Sequence, residues 1–189
     1  MEFTTHGLWT MLHGMGFGAL YLLAFSGAMV ELYRCKSVEA IADDSHNSNF
    51  LRNYLFGMAL LAWLTVLSGA YVIYPWYRAV APAGTAGLAA FPQMLLKSSP
   101  STARWHALGM EWKEYVAWVA PMASTMAAAV AWRYGRSLRN FPPLRAAVMS
   151  FVVVSFLAAA LAGFFGAMLN KHAPVEGGRT VPILTGDAR

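Results

Sequence analysis

Two histidines stand seven residues apart in Thr5-His6-Gly7-Leu8-Trp9-Thr10-Met11-Leu12-His13-Gly14-Met15-Gly16-Phe17-Gly18, where a long apolar run begins. On an α-helix that spacing sets them within about 20° around the axis and about 10 Å apart along it, so they share a face. An ionisable group inside an apolar helix is costly and tends to mark a site. Imidazoles in such a setting suit a haem iron or another metal. Two residues about 10 Å apart on one helix cannot ligate one iron from opposite sides, so the pair serves different centres or supplies one ligand. His13 is the deeper of the two.

The element carrying them belongs to a membrane protein. Hydrophobic residues make up 58% of the 189 and charged residues 12%, and the apolar ones come in long blocks. The net charge of +5 comes from basic residues beside those blocks, which reads as membrane topology rather than nucleic-acid binding. A single cysteine, Cys35, excludes an internal disulfide and a thiolate cluster built from this chain. The first apolar run has no basic region before it and no cleavage pattern after it, so it reads as a retained span. No nucleophile with an evident base and no phosphate loop occurs, which speaks against an independent hydrolase or kinase.

Four apolar stretches predict an all-α membrane fold with helices at about 8–32, 54–76, 107–132 and 146–170 in one domain, residues 1–174. Residues 37–53 are polar, with Asp43, Asp44, Ser45, His46 and Asn47 reading as a turn or short surface segment. Tyr74-Pro75-Trp76-Tyr77-Arg78 reads as an interfacial aromatic belt that closes the second helix. The loop 77–106 is interrupted by Pro82, Pro92 and Pro100, with a short surface helix expected near 91–96. Pro121 predicts a kink in the third span. Residues 175–189 read as a polar tail, extended or docked on a partner.

Orientation follows from basic residues near the span ends. Arg34, Lys36, Arg52, Arg133, Arg136, Arg139 and Arg145 lie densely on one side, predicted to be cytoplasmic. Arg78, Lys97, Arg104, Lys113, Lys171, Arg179 and Arg189 are spread over longer segments on the other. In an up-down-up-down bundle both termini then face the periplasm of a double-membraned bacterium. The same arrangement gathers His6, His13, His106 and His172 at one end and leaves His46 at the other.

The chemistry that suits this gathering is haem b held by two neutral imidazoles from different helices, with His13 as first ligand and His106 or His172 as second. His6 would serve a second haem. Gly14 and Gly16, with Gly18, would let a flat macrocycle or another helix approach, and Arg78, Arg104 and Lys113 would pair with haem propionates. Glu111 and Glu114 follow His106 at a membrane edge, where a carboxylate can take a quinol proton or merely neutralise an interfacial cluster with Lys113. Met11, Met15, Met110 and Met168 suit Cu(I) as soft ligands, although apolar gap-filling is the stronger reading. Ala158, Ala159, Ala162, Gly163, Gly166 and Ala167 give the fourth helix a small-residue face suited to packing.

Over residues 8 to 170 the layout resembles the small four-helix b-type cytochrome subunits that anchor redox enzymes and exchange electrons with quinones. The resemblance rests on architecture and histidine placement, without a specific motif, and the second helix departs from the pattern in having no histidine. It implies a non-catalytic subunit of a respiratory or photosynthetic complex in the bacterial inner membrane. Such a subunit would hold haem b near the periplasmic face and relay electrons between quinone and a partner such as a cytochrome c. A cofactor-free accessory subunit packed against other membrane subunits is the second reading. A looser likeness to four-helix copper-handling membrane proteins is the third.

Overall fold

The computed structural model describes residues 2–35 and 44–182. Lys36, the turn expected through Asp43, and the tail beyond Pro182 with Arg189 lie outside the described residues. Among the described residues, four helices are long and apolar enough to cross a membrane: α1 (Thr5–Arg34), α2 (Asn49–Tyr77), α4 (Pro100–Leu138) and α5 (Pro142–His172). The helix that contains α2 already begins at Asp44, where the sequence reads as a turn. A short helix, α3 (Pro92–Lys97), stands in the loop between α2 and α4, close to the expected 91–96.

Prolines explain the largest boundary difference. Read as breakers, Pro92 and Pro100 confine the third span to about 107 onward, yet each opens a helix, as Pro142 does for α5. At the first helical position proline's missing N–H has no partner to lose, and its fixed φ is already helical. α4 therefore gains nearly two turns at its start. Inside that helix the ring of Pro121 crowds the carbonyl four residues back, and Val116–Trp118 tightens into a 3₁₀ turn just before it.

Two spans carry wide π-helical stretches, Leu12–Ala19 in α1 and Gly69–Ile73 in α2. The first holds His13 and three glycines; the second begins at the glycine that His13 lies against. Widened turns of this kind recur at functional sites.

Lipid offers no hydrophobic drive for helix association, so close packing and interhelical hydrogen bonds must hold the spans together. Small residues supply the first. Ala28 of α1, Ala127 and Ala131 of α4 are fully buried in a cluster with Leu55, Met58 and Val152. Gly27 lets the Tyr54 ring lie against α1, where its hydroxyl donates to the Ala24 carbonyl at 2.9 Å. A polar node ties three spans: Ser155 Oγ donates to the Ala120 carbonyl at 2.5 Å, which leaves Tyr21 Oη to donate to Ser155 Oγ, also at 2.5 Å. Large apolar residues such as Met15, Leu23 and Phe56 point outward, the pattern of a lipid-facing surface.

The chain ends meet. β1 (Glu2–Thr4) pairs antiparallel with β2 (Thr180–Pro182), Thr4 opposite Thr180, so part of the tail docks on this chain's own N-terminus. Beneath α3, a second buried cluster joins Tyr77, Leu96, Met110, Leu169 and Val175. Replacing Tyr21 with Phe removes one interhelical hydrogen bond and is expected to lower stability by about 0.6–1.7 kcal/mol in detergent. Thermal unfolding checks this, and an unchanged midpoint would contradict the role of the node.

Candidate functional site

The last turns of α2 meet His6 and His13 of α1 and His106 and Glu114 of α4. His13 comes first. Its Nδ1 lies 3.0 Å from Ser68 Oγ, and Ser68 Oγ donates its own proton to the Thr65 carbonyl at 3.1 Å. A hydroxyl has one proton, so while Ser68 gives it to Thr65 it accepts from the imidazole. In that arrangement His13 carries hydrogen on Nδ1 and a lone pair on Nε2, the tautomer of a histidine able to bind a metal or take a proton at Nε2.

Glycines shape the surroundings. A Cβ on Gly69 would fall 2.8 Å from His13 Cε1, so only glycine leaves room for the ring. Lys113 of α4 reaches toward α5, where a Cβ on Gly166 would lie 3.2 Å from its Nζ. Two basic side chains thus enter the bundle through gaps that glycines of neighbouring spans leave open.

Toward the end of α2 the aromatic belt takes up the other groups. Trp76 stacks on His6, with centroids 3.8 Å apart and planes at 14°. Gly177 and Gly178, with φ of 119° and 80°, turn the tail over the same imidazole in a conformation that glycine adopts without strain. Tyr77 stacks on His106, 5.9 Å between centroids at 17°, and both Tyr77 Oη and His106 Nε2 are buried without a hydrogen-bond partner among the described residues. Tyr74 Oη donates to Glu114 Oε1 at 2.5 Å while accepting from Arg78 at 3.1 Å. A charge-assisted chain from guanidinium through phenol to carboxylate results. These residues border a cleft of about 750 Å³, lined also by Lys97, Met110, Glu111 and Trp112.

The predicted residues separate. His13 lies beside Ser68, whereas His6 and His106 lie against Trp76 and Tyr77, eight and nine residues further along α2 and so roughly 12 Å away along its axis. His172 is exposed at the end of α5, and no group of three or more His, Cys, Asp or Glu converges among the described residues. Arg78 lines the cleft; Arg104 is exposed and does not. Gly14 has open space where a Cβ would stand, and Gly16 would meet only its own helix's Leu12, so neither admits another helix of this chain. Met11 and Met15 are exposed on α1. Cys35, just past α1, has its thiol pushed up by burial, away from thiolate chemistry.

Sequence reasoning missed Ser68, Gly69, Tyr74 and Lys97. Tyr74 and Trp76 were visible only as a membrane belt, and a serine followed by a glycine inside an apolar span gives no signal beyond packing. No family model, no curated protein and no solved structure matches the chain. Gly69→Ala should displace the His13 ring and lower stability by about 1–3 kcal/mol, the usual range for overpacking. Gly14→Ala, in open space, should stay within about 0.5 kcal/mol of the parent. Unfolding midpoints of the two variants test this, and equal shifts would contradict the niche.

Proposed function

We propose that the chain is a non-catalytic membrane subunit of a respiratory or photosynthetic electron-transfer complex. It would sit in a bacterial inner membrane as an up-down-up-down bundle with both termini in the periplasm. It would hold haem b near that face and relay electrons between quinol and a partner cytochrome. The pairing of β1 with β2 supports termini on one side, and the dense arginines at 133, 136, 139 and 145 support a cytoplasmic opposite side.

The observation that carries the reading is His13. Its donor chemistry would suit a haem-iron ligand: an imidazole in an apolar span, with Nδ1 on Ser68 and Nε2 left to donate its lone pair. The haem, when bound, supplies one-electron exchange. Ser68 would orient the ligand, Gly69 would give the ring its seat, and Lys113, beside Gly166, would be the basic side chain nearest in kind to a propionate partner. His6 and His106, farther along α2, are not its partners on one iron.

The cofactor-free accessory subunit is favoured by a different observation. His6 and His106 each spend a ring face on an aromatic neighbour, as packing residues do. A reduced-minus-oxidised absorption spectrum separates the two. The redox reading expects a b-type band in the purified protein, lost in His13→Ala and kept in His172→Ala. A well-folded sample without that band sinks it and leaves the accessory reading.

A further inference from the structure

We propose that the end of the bundle where α2 begins and α4 ends holds an anionic phospholipid by its headgroup phosphate, with Arg52 of α2 and Arg133 and Arg136 of α4 as the cations. The proposal is independent of the redox reading and of the cleft beside α3.

Charge at this end is lopsided. From Tyr115 to Val175 the sequence has no Asp or Glu, yet Arg133, Arg136, Arg139 and Arg145 all fall in that stretch. Arg145 is already engaged: it is buried and donates to the Leu138 carbonyl at 3.2 Å, tying the turn between α4 and α5. At the end of α1, Glu31 is taken by Arg34 at 3.2 Å, and no other ion pair occurs among the described residues. Arg133 and Arg136 are exposed, with no carboxylate against either among those residues.

Helix packing brings the third cation to them. Arg52, near the start of α2, lays its guanidinium carbon 4.4 Å from the centre of the Trp132 ring, and its Cδ stands 3.4 Å from where a Cβ on Gly135 would lie. Arg133 and Arg136 are each next in sequence to one of these two contacts. An indole face holds a guanidinium in place without neutralising it. Arg52 Nε is covered and has no hydrogen-bond partner among the described residues, so a ligand meets the Nη end, where Asn49 Oδ1 accepts from Nη1 at 3.5 Å. A guanidinium has five donors, and one asparagine oxygen leaves most of that fork free.

Depth selects a lipid over a soluble anion. Trp132, Tyr134 and Phe141 are large, exposed rings at the end of an apolar span, where such residues settle at headgroup level. The guanidinium fork matches the paired oxygens of a phosphate, and basic residues gathered between two spans at a membrane edge suit an acidic headgroup. Phosphatidylglycerol offers that phosphate with a net negative charge. Phosphatidylcholine offers it beside a quaternary ammonium, which neighbouring arginines repel.

Native mass spectrometry of the full chain released from detergent, titrated with phosphatidylglycerol or phosphatidylcholine of equal chain length, tests this. Saturable binding of phosphatidylglycerol is expected, about tenfold or more tighter than that of phosphatidylcholine. Arg136→Gln should weaken it about fivefold, and the double variant Arg133→Gln, Arg136→Gln about 25-fold, at unchanged melting temperature. Lys171→Gln, exposed at the other end of the bundle, should leave it unchanged. Arg52→Gln should also weaken binding about fivefold; if that variant fails to fold, the two exposed arginines decide. Equal affinity for the two lipids overturns the proposal, as does an unchanged affinity in the double variant or an equal loss in Lys171→Gln. Displacement of the lipid by inorganic phosphate at equal concentration would make this a free-phosphate site, and poly-glutamate binding more tightly than phosphatidylglycerol would make it a surface for an acidic protein. Either result overturns the lipid assignment.

Discussion

The arrangement depends on the last ten residues of α2, which hold side chains from two other spans in fixed positions. Ser68 and Gly69 seat His13, Tyr74 bonds Glu114, Trp76 covers His6 and Tyr77 covers His106. In lipid a polar group without a partner costs several kcal/mol, so a span that supplies partners for its neighbours also fixes their rotation about their own axes. α2 has no histidine, yet it orients three of them.

That constraint divides the end of the bundle into two levels. Deeper, His13 and Lys113 occupy gaps opened by Gly69 and Gly166, where burial makes a charge and a lone pair count for more than they would in water. Toward the end, His106 and the Arg78–Tyr74–Glu114 chain border an open cleft. The two levels are about a dozen ångströms apart along the helix axis.

The four spans were legible because runs of apolar residues of this length have few other uses. Their boundaries were less so, since Pro92, Pro100 and Pro142 read equally as breakers and as first helical residues until the helix they open is seen. His13 stood out by being ionisable within an apolar run. Its partner Ser68 did not, because hydroxyls are common inside spans and usually bond their own helix, as Thr65 and Thr125 do here. His6 and His13 share a face about 10 Å apart along it, and both lie against α2; which residues of α2 meet them follows from interhelical packing and could not be read from the sequence.

The tautomer of His13 is the point on which the redox reading turns, and nitrogen-15 NMR of histidine-labelled protein reads it directly. The account predicts, for the cofactor-free protein, a protonated Nδ1 and an unprotonated Nε2 at His13, with Ser68→Ala disturbing that signal. A resonance showing the proton on Nε2, or both nitrogens protonated at neutral pH, would contradict it.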